Sequence, residues 1–412
     1  MTKALEGVRI LDFSHLLQGP FATQLLGDMG ADVIKVERAG SGDMFRSLTF
    51  FNRWVGGSES PNFLAWNRNK RSIALNLKSR RVHQIVMTMA KQADVVVQNF
   101  RPGVLEKLGY GYDDFRAINP RIIYCSGSGY GEDGPYATRP GQDMLIQGLA
   151  GVAANTGRAD QPPVPTGAGL ADQIGAMNMV YAILSALYWR EKSGKGQKIE
   201  VNLLAGMLAH LAQEYVAVLN LGIDFQRPNS GIGHPGMHAP FGIYATADNR
   251  HVSIAMSPFS HLIEALGARH LARYDDLEVL YAQRDEVWAE IDAETRKWAC
   301  DDLLRALLAA DIWCAEVKDF RHAAEDPQVR HMGMITSYEH SRAGTVQVVS
   351  PAVRMSETQP EIRRPAPLVG EHGREILAEF GVSRDEIAAL EAAGDMTVDT
   401  CEDPVAAPGP VG

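Results

Sequence analysis

Four cysteines in 412 residues, at Cys125, Cys300, Cys314 and Cys401 with no CxxC pair, offer neither a disulfide framework nor a thiolate zinc spacing. They fit buried thiols in a reducing compartment. No unbroken run of about 18 apolar residues occurs, and the first residues lack the basic, apolar and small-residue order of a secretory signal. These absences point to a cytoplasmic protein that does not span a membrane. Positive charge is also scarce, with 40 Lys and Arg against 50 Asp and Glu for a formal net charge of −10. A nucleic-acid partner is excluded on that balance, because phosphate backbones are met by clustered, uncompensated cations.

Several catalytic signatures are missing as well. The turn after the first strand reads FSHLLQGPF where a nicotinamide dinucleotide needs G-x-G-x-x-G. The glycine-rich SGSGYGEDG of residues 126–134 has no G-K-[ST] and places glycine where a G-x-S-x-G nucleophile would stand. The twelve histidines form no H-E-x-x-H or H-x-H, and His234 and His238 lie in a Pro- and Gly-containing loop where helical i, i+4 geometry does not apply. No metal site is expected.

What is present is an ordinary globular composition, 45% hydrophobic and 22% charged. Apolar β-branched runs at 8–13, 31–37, 72–77, 93–100 and 121–129 alternate with helical spacing at 19–30, 80–92 and 102–118. That order implies an α/β fold, a mostly parallel sheet with helices on both faces. Such sheets deliver ligand-binding residues at the carboxyl ends of their strands, here near 14–18, 37–41, 99–102 and 126–131.

A long helix is expected over 173–191, followed by a strand at 198–201. Residues 226–240 read as a boundary or functional loop, 241–256 as a hairpin around Asp248 and Asn249, and 257–330 as mainly helical. The chain divides on this reading into a large domain over 1–225, a smaller one over 226–330 and a return to the large domain over 331–394. Two short helices fall in 370–394, and 395–412 reads as a frayed tail.

Two groups carry chemistry. Arg38, Arg68, Lys70, Arg71, Lys78, Arg101, Lys107 and Arg139 are each readable as a solvated surface charge, but together at one sheet edge they make a phosphate site. Asp172, in PTGAGLADQIGAMN, precedes the long helix. Asp is a leading N-cap residue, so a cap is the plain reading. Glycines at 167 and 169 leave room for a ligand, and a carboxylate at a helix N-terminus is expected to stay ionised, as a nucleophile requires.

Seven blocks, in order, then resemble the class III CoA-transferases, the family of formyl-CoA:oxalate and carnitine CoA-transferases. They are LEGVRILDFSHLLQGPFATQLLGDMGADVIKVERAGSGD, NRNKRSIALNLK, ADVVVQNFRPGVLEKLG, NPRIIYCSGSGYGEDGP, RPGQDMLIQGLAG, GLADQIGAMNMVYAILSALYWREKSGKGQKIEV and RRPAPLVGEHGREILAEFG. The resemblance implies a Rossmann-like large domain with an inserted smaller α+β domain, in ring-shaped subunits interlocked as a homodimer. It makes Asp172 the nucleophile, forming an acyl anhydride and then a CoA thioester. It also implies that coenzyme A, as acyl-CoA substrate, meets Leu17, Gln18, Arg38, Leu75, Asn76, Leu77, Lys78, Asn99, Phe100, Arg101, Lys107, Arg139, Gln142 and Asp143.

Two departures bear on substrate. The family's glycine run over the catalytic aspartate corresponds to GIGHPGMHAP, with Gly231, Gly233, His234 and Gly236 as the substrate loop. A related branch racemises 2-methylacyl-CoA with a His directly before the residue equivalent to Asp143; here Gln142 stands there, which favours transfer. The expected partners are an acyl-CoA and a small carboxylic acid. Arg46 and the polar loop suggest a short dicarboxylate. A CoA-binding protein without catalysis is the remaining alternative.

Overall fold

The computed structural model describes residues 3–399. Its contacts divide the chain into two compact units: the first holds residues 1–146, 169–210 and 328–412, the second residues 147–168 and 211–327. The smaller unit thus begins at 211 rather than 226, and takes 147–168 as well. That excursion is bounded by the glycines and prolines of 139–151 and 157–169.

In the first unit, six strands follow in chain order: β1 (Arg9–Asp12), β2 (Asp32–Arg38), β3 (Lys70–Leu75), β4 (Val95–Gln98), β5 (Ile123–Ser128) and β6 (Lys198–Asn202). Val95, Val96 and Val97 are sealed from solvent, as strands covered on both faces require. The second unit holds the antiparallel β7 (Gly242–Ala245), β8 (His251–Ile254) and β9 (Cys314–Glu316), with helices over most of 259–309. Back in the first unit, β10 (Ile335–His340) and β11 (Gly344–Val349) pair as a hairpin, and the chain ends its described course in β12 (Met396–Thr397).

The main sheet runs β12-β3-β2-β1-β4-β5-β6, parallel except for β12. Strand order reverses between β1 and β4, the switch point where doubly wound sheets open a crevice. β12 corrects the expected tail: Met396 is buried and pairs with Leu75, and Asp399 bonds Arg342. The rest of that tail, residues 400–412, falls outside the described residues.

Helices cover both faces. α1 (Gln18–Asp28) connects β1 to β2, and α2 (Pro61–Trp66) precedes β3. α3 (Arg80–Ala90) places Val82, Ile85, Val86 and Met89 on one buried stripe at helical spacing. The helix expected over 102–118 is two pieces, α4 (Val104–Lys107) and α5 (Tyr112–Ile118), because Gly109 at φ +79° ends the first. After β5 come α6 (Asp143–Leu149), α7 (Val152–Asn155), α8 (Leu170–Ser193), α9 (Leu203–His210) and α10 (Ala212–Leu221).

α8 is long and apolar enough, by length and composition, to cross a membrane. Here Ala176, Met179, Ile183 and Leu187 pack with Leu26 of α1 and with Ile123 and Cys125 of β5. That one-sided burial fits a core helix.

Candidate functional site

A cavity of about 730 Å³ opens in the first unit at the carboxyl ends of β1, β2, β4 and β5. Leu17, Gln18, Arg38, Asn99, Phe100, Arg101, Arg139, Gln142 and Asp172 all line it. Residues spread over 155 positions of sequence converge because the switch point brings the turns after β1 and β4 side by side.

Asp172 is not the cap of α8. The helix begins at Leu170, so Asp172 lies inside the first turn, and its backbone N–H donates to Asp143 Oδ2 at 3.0 Å. Asp143 does the capping from α6, which leaves the Asp172 carboxylate without a hydrogen bond or ion pair among the described residues. The expected permanent ionisation is corrected too. Burial, followed by the Asp143 charge, pushes Asp172 from 3.8 up to about 7. Around neutral pH it is poised between the two states, as suits a desolvated nucleophile.

Gln18 comes from the first turn of α1 and is 4% exposed, yet its Nε2 has no hydrogen-bond partner among the described residues. Its amide fits only because positions 127 and 175 are glycine: a Cβ on Gly127 would come 2.7 Å from Oε1, and one on Gly175 would come 2.7 Å from Nε2. Gly175 lies one turn beyond Asp172 on α8. An N–H with no partner among the described residues therefore sits beside the helix that carries the carboxylate.

The cations separate into two groups. Arg38, Arg101 and Arg139 are exposed, line the cavity and form no ion pair among the described residues; Arg139 rests on the Tyr136 ring at 3.7 Å. The others of the expected phosphate group lie elsewhere. Arg68 binds Asp28 at 2.7 Å, Lys70 binds Asp12 at 3.1 Å, and Arg71 binds Asp32, Glu375 and Glu379. Lys78 and Lys107 are exposed off the cavity wall. Arg46 is likewise committed, forked onto Glu37 with two 2.7 Å bonds and stacked 3.5 Å over Phe63. It is not free to meet a substrate carboxylate.

Leu75, Asn76, Leu77 and Lys78 do not line the cavity either. Leu75 is a buried end of β3, and Asn76 receives the returning chain by donating its backbone N–H and Nδ2 to Asp395. Gly231, Gly233 and His234 line a different cavity, about 750 Å³, within the second unit. There His234 accepts from Gly236 N through Nδ1, and its Nε2 stands 3.4 Å from Glu214. His238 packs edge-on against Tyr281.

Sequence reasoning marked the stretch that holds His15 without singling it out, and passed over Lys35 and Asp43; all three line the first cavity. Burial holds His15 below its usual pKa, and its Nδ1 has no hydrogen-bond partner among the described residues. A signal for Lys35 existed: a lysine inside the apolar run DVIKVE must either leave the sheet or find a buried anion. It finds Asp43 at 2.8 Å.

Known proteins match both the chain and the fold. The model of CoA-transferase family III matches residues 5–373. A succinyl-CoA:glutarate CoA-transferase of Mus musculus is 36% identical, over 94% of this chain and 88% of its own length. A formyl-CoA:oxalate CoA-transferase of Rhodopseudomonas palustris is 32% identical over 96% and 98%. Among solved structures, a CAIB/BAIF family protein from Brucella suis superposes with a TM-score of 0.81 at 33% identity, covering 92% of this chain and all of the other. With the doubly wound sheet, the cavity at its switch point and these matches together, the chain belongs to CoA-transferase family III.

Proposed function

We propose that this enzyme moves CoA from an acyl-CoA donor to a short dicarboxylic acid, with Asp172 as the covalent carrier. The observation that carries the reading is Asp172 itself: a carboxylate raised to about 7, unpaired, on the wall of a cavity with three uncommitted arginines. Relatives named for succinyl-CoA with glutarate and for formyl-CoA with oxalate support the dicarboxylate class.

The steps balance without a cofactor redox change. The Asp172 carboxylate attacks the thioester carbonyl; the C–S bond breaks, giving an acyl-aspartyl anhydride and CoA thiolate. The thiolate attacks the Asp172 carbonyl, expelling the donor acid and leaving an aspartyl-CoA thioester. The acceptor carboxylate displaces the thiolate from that ester, and the thiolate then takes the acceptor acyl group and restores Asp172. Arg38, Arg101 and Arg139 would meet the CoA phosphates, and the Gln18 amide would donate to each oxyanion.

Two further readings follow. Met177, Tyr181 and Tyr188 are exposed along one side of α8, an apolar stripe that a second copy would cover in a homodimer. The free cysteines and acidic balance support work in the cytoplasm.

The test incubates succinyl-CoA with glutarate, oxalate and a panel of monocarboxylates, reading new thioesters by mass spectrometry. Hydroxylamine trapping should convert Asp172 to a hydroxamate only when acyl-CoA is present. Exchange of the α-proton with solvent, without need of an acceptor acid, would instead support a racemase.

A further inference from the structure

The turn from Ser14 to Leu17, between β1 and α1, is held in a shape its own sequence disfavours. Leu16 has φ +64°, a left-handed conformation that strains a non-glycine residue because its Cβ crowds the following carbonyl. Side chains from four places compensate. Ser14 N–H donates to Asp12 Oδ1 at 3.0 Å, and Ser14 O accepts from Lys35 Nζ at 2.9 Å. Asn99 takes both sides of the next residue: its Oδ1 accepts from His15 N–H, and its Nδ2 donates to His15 O, each at 2.8 Å. Leu16 N–H donates to Asp43 Oδ1 at 3.1 Å, while Asp43 Oδ2 holds Lys35 at 2.8 Å.

A loop under this many fixed side chains cannot relax to the extended or right-handed form. Its last residue, Leu17, and the Gln18 that follows both line the cavity. Each polar atom of the Asn99 side chain already holds one hydrogen bond to His15.

We propose that Asn99 and the Lys35–Asp43 pair are positioning residues for CoA transfer, clamping a strained turn so that Leu17 and the Gln18 amide are set before substrate arrives. This rests on the reading of the cavity as the CoA-thioester site. Pre-setting the turn removes an ordering cost from binding.

The test is a cycle between the clamp and the strain it opposes, on the full chain. Wild type, Asn99→Ala, Leu16→Gly and the double variant are titrated with CoA by calorimetry, and amide exchange is followed over residues 14–17. Asn99→Ala is expected to weaken CoA at least tenfold and to speed exchange at His15 and Leu16. Adding Leu16→Gly should recover at least threefold, because glycine accepts that φ without strain. Asp43→Asn, which keeps the shape and a carbonyl acceptor, is carried through the same cycle and should show the same recovery. Equal losses with and without Leu16→Gly would mean that Asn99 contacts CoA directly, and would overturn the proposal. Unchanged exchange and affinity in both clamp variants would overturn it too. Should wild type bind no CoA, the reading of the cavity fails, while the exchange contrast still decides the clamp.

Discussion

Two aspartates in the first unit, Asp12 and Asp172, are treated in opposite ways. Asp12 ends β1 sealed from solvent, with Lys70 Nζ at 3.1 Å, Thr23 Oγ1 at 2.6 Å and the Ser14 hydroxyl donating to it. Burial pushes its pKa up, but Lys70, Lys35 and the two hydroxyls outweigh that and bring it to about 2. Asp172 has a cavity beside it, no ion pair among the described residues, and Asp143 for a neighbour. It rises to about 7. Burial alone does not set the pKa of a carboxylate; the supply of donors and cations decides its direction. Asp12 is satisfied and chemically quiet, whereas Asp172 is basic and available.

The largest test removes the carboxylate proposed as the covalent carrier. Asp172→Asn should cut CoA transfer by ~10³-fold or more and abolish hydroxylamine trapping. It should also make the protein more stable at pH 8. The folded pKa of Asp172 is raised, so its favourable contribution is full below about 3.8 and is lost as pH rises toward about 7. Removing the charge returns roughly 2–4 kcal/mol, discounted for partial exposure, readable as a shift in urea midpoint. A variant both inactive and less stable at pH 8 would break the comparison.

Breaking the quiet member should do the reverse. Lys70→Met strands the Asp12 charge and is expected to cost about 3–5 kcal/mol of stability. The double variant Asp12→Leu/Lys70→Met should recover much of it, since neither charge is then left alone. The Asp12 contribution has the opposite pH sign: its lowered pKa stabilises the fold above about 3.8, and that stability is lost as pH falls through about 2.

Smaller effects sharpen the contrast. Arg139→Ala should raise the KM for acyl-CoA roughly tenfold with little change in kcat, an effect that shrinks in high salt. Arg68→Ala, by contrast, removes a partner of buried Asp28 and should appear in stability instead. Smallest is Asp143→Asn. The rate should rise with pH through about 7 as Asp172 ionises, and removing the Asp143 charge should shift that rise to lower pH while an acceptor for the Asp172 N–H remains.

The sequence pattern carried the sheet well. Val95 to Val97 have the apolar continuity of a strand covered on both sides, Val33, Ile34 and Val36 mark a second strand, and Val82 to Met89 has the period of a helix on a core. The cations were less legible. Arg38 and Arg68 look alike in sequence, and only the placement of Asp28 on α1 tells the paired arginine from the free one. Asp172 as a cap failed for a related reason: capping depends on which carboxylate reaches the first turn, and Asp143, 29 positions earlier, reaches it first. Propensity describes a residue's neighbours in sequence, and this site is made by neighbours in space.

β12 has a consequence for how the protein is made. Met396 and Thr397 pair with Leu75 and Ala74, so β3 waits for a partner that the ribosome delivers more than 300 residues later. Throughout that interval the nascent sheet presents an unpaired hydrophobic edge, the kind of surface that recruits other chains. Meanwhile the second unit interrupts the first and is fully synthesised before it. The main sheet can therefore close only once residue 397 has been made.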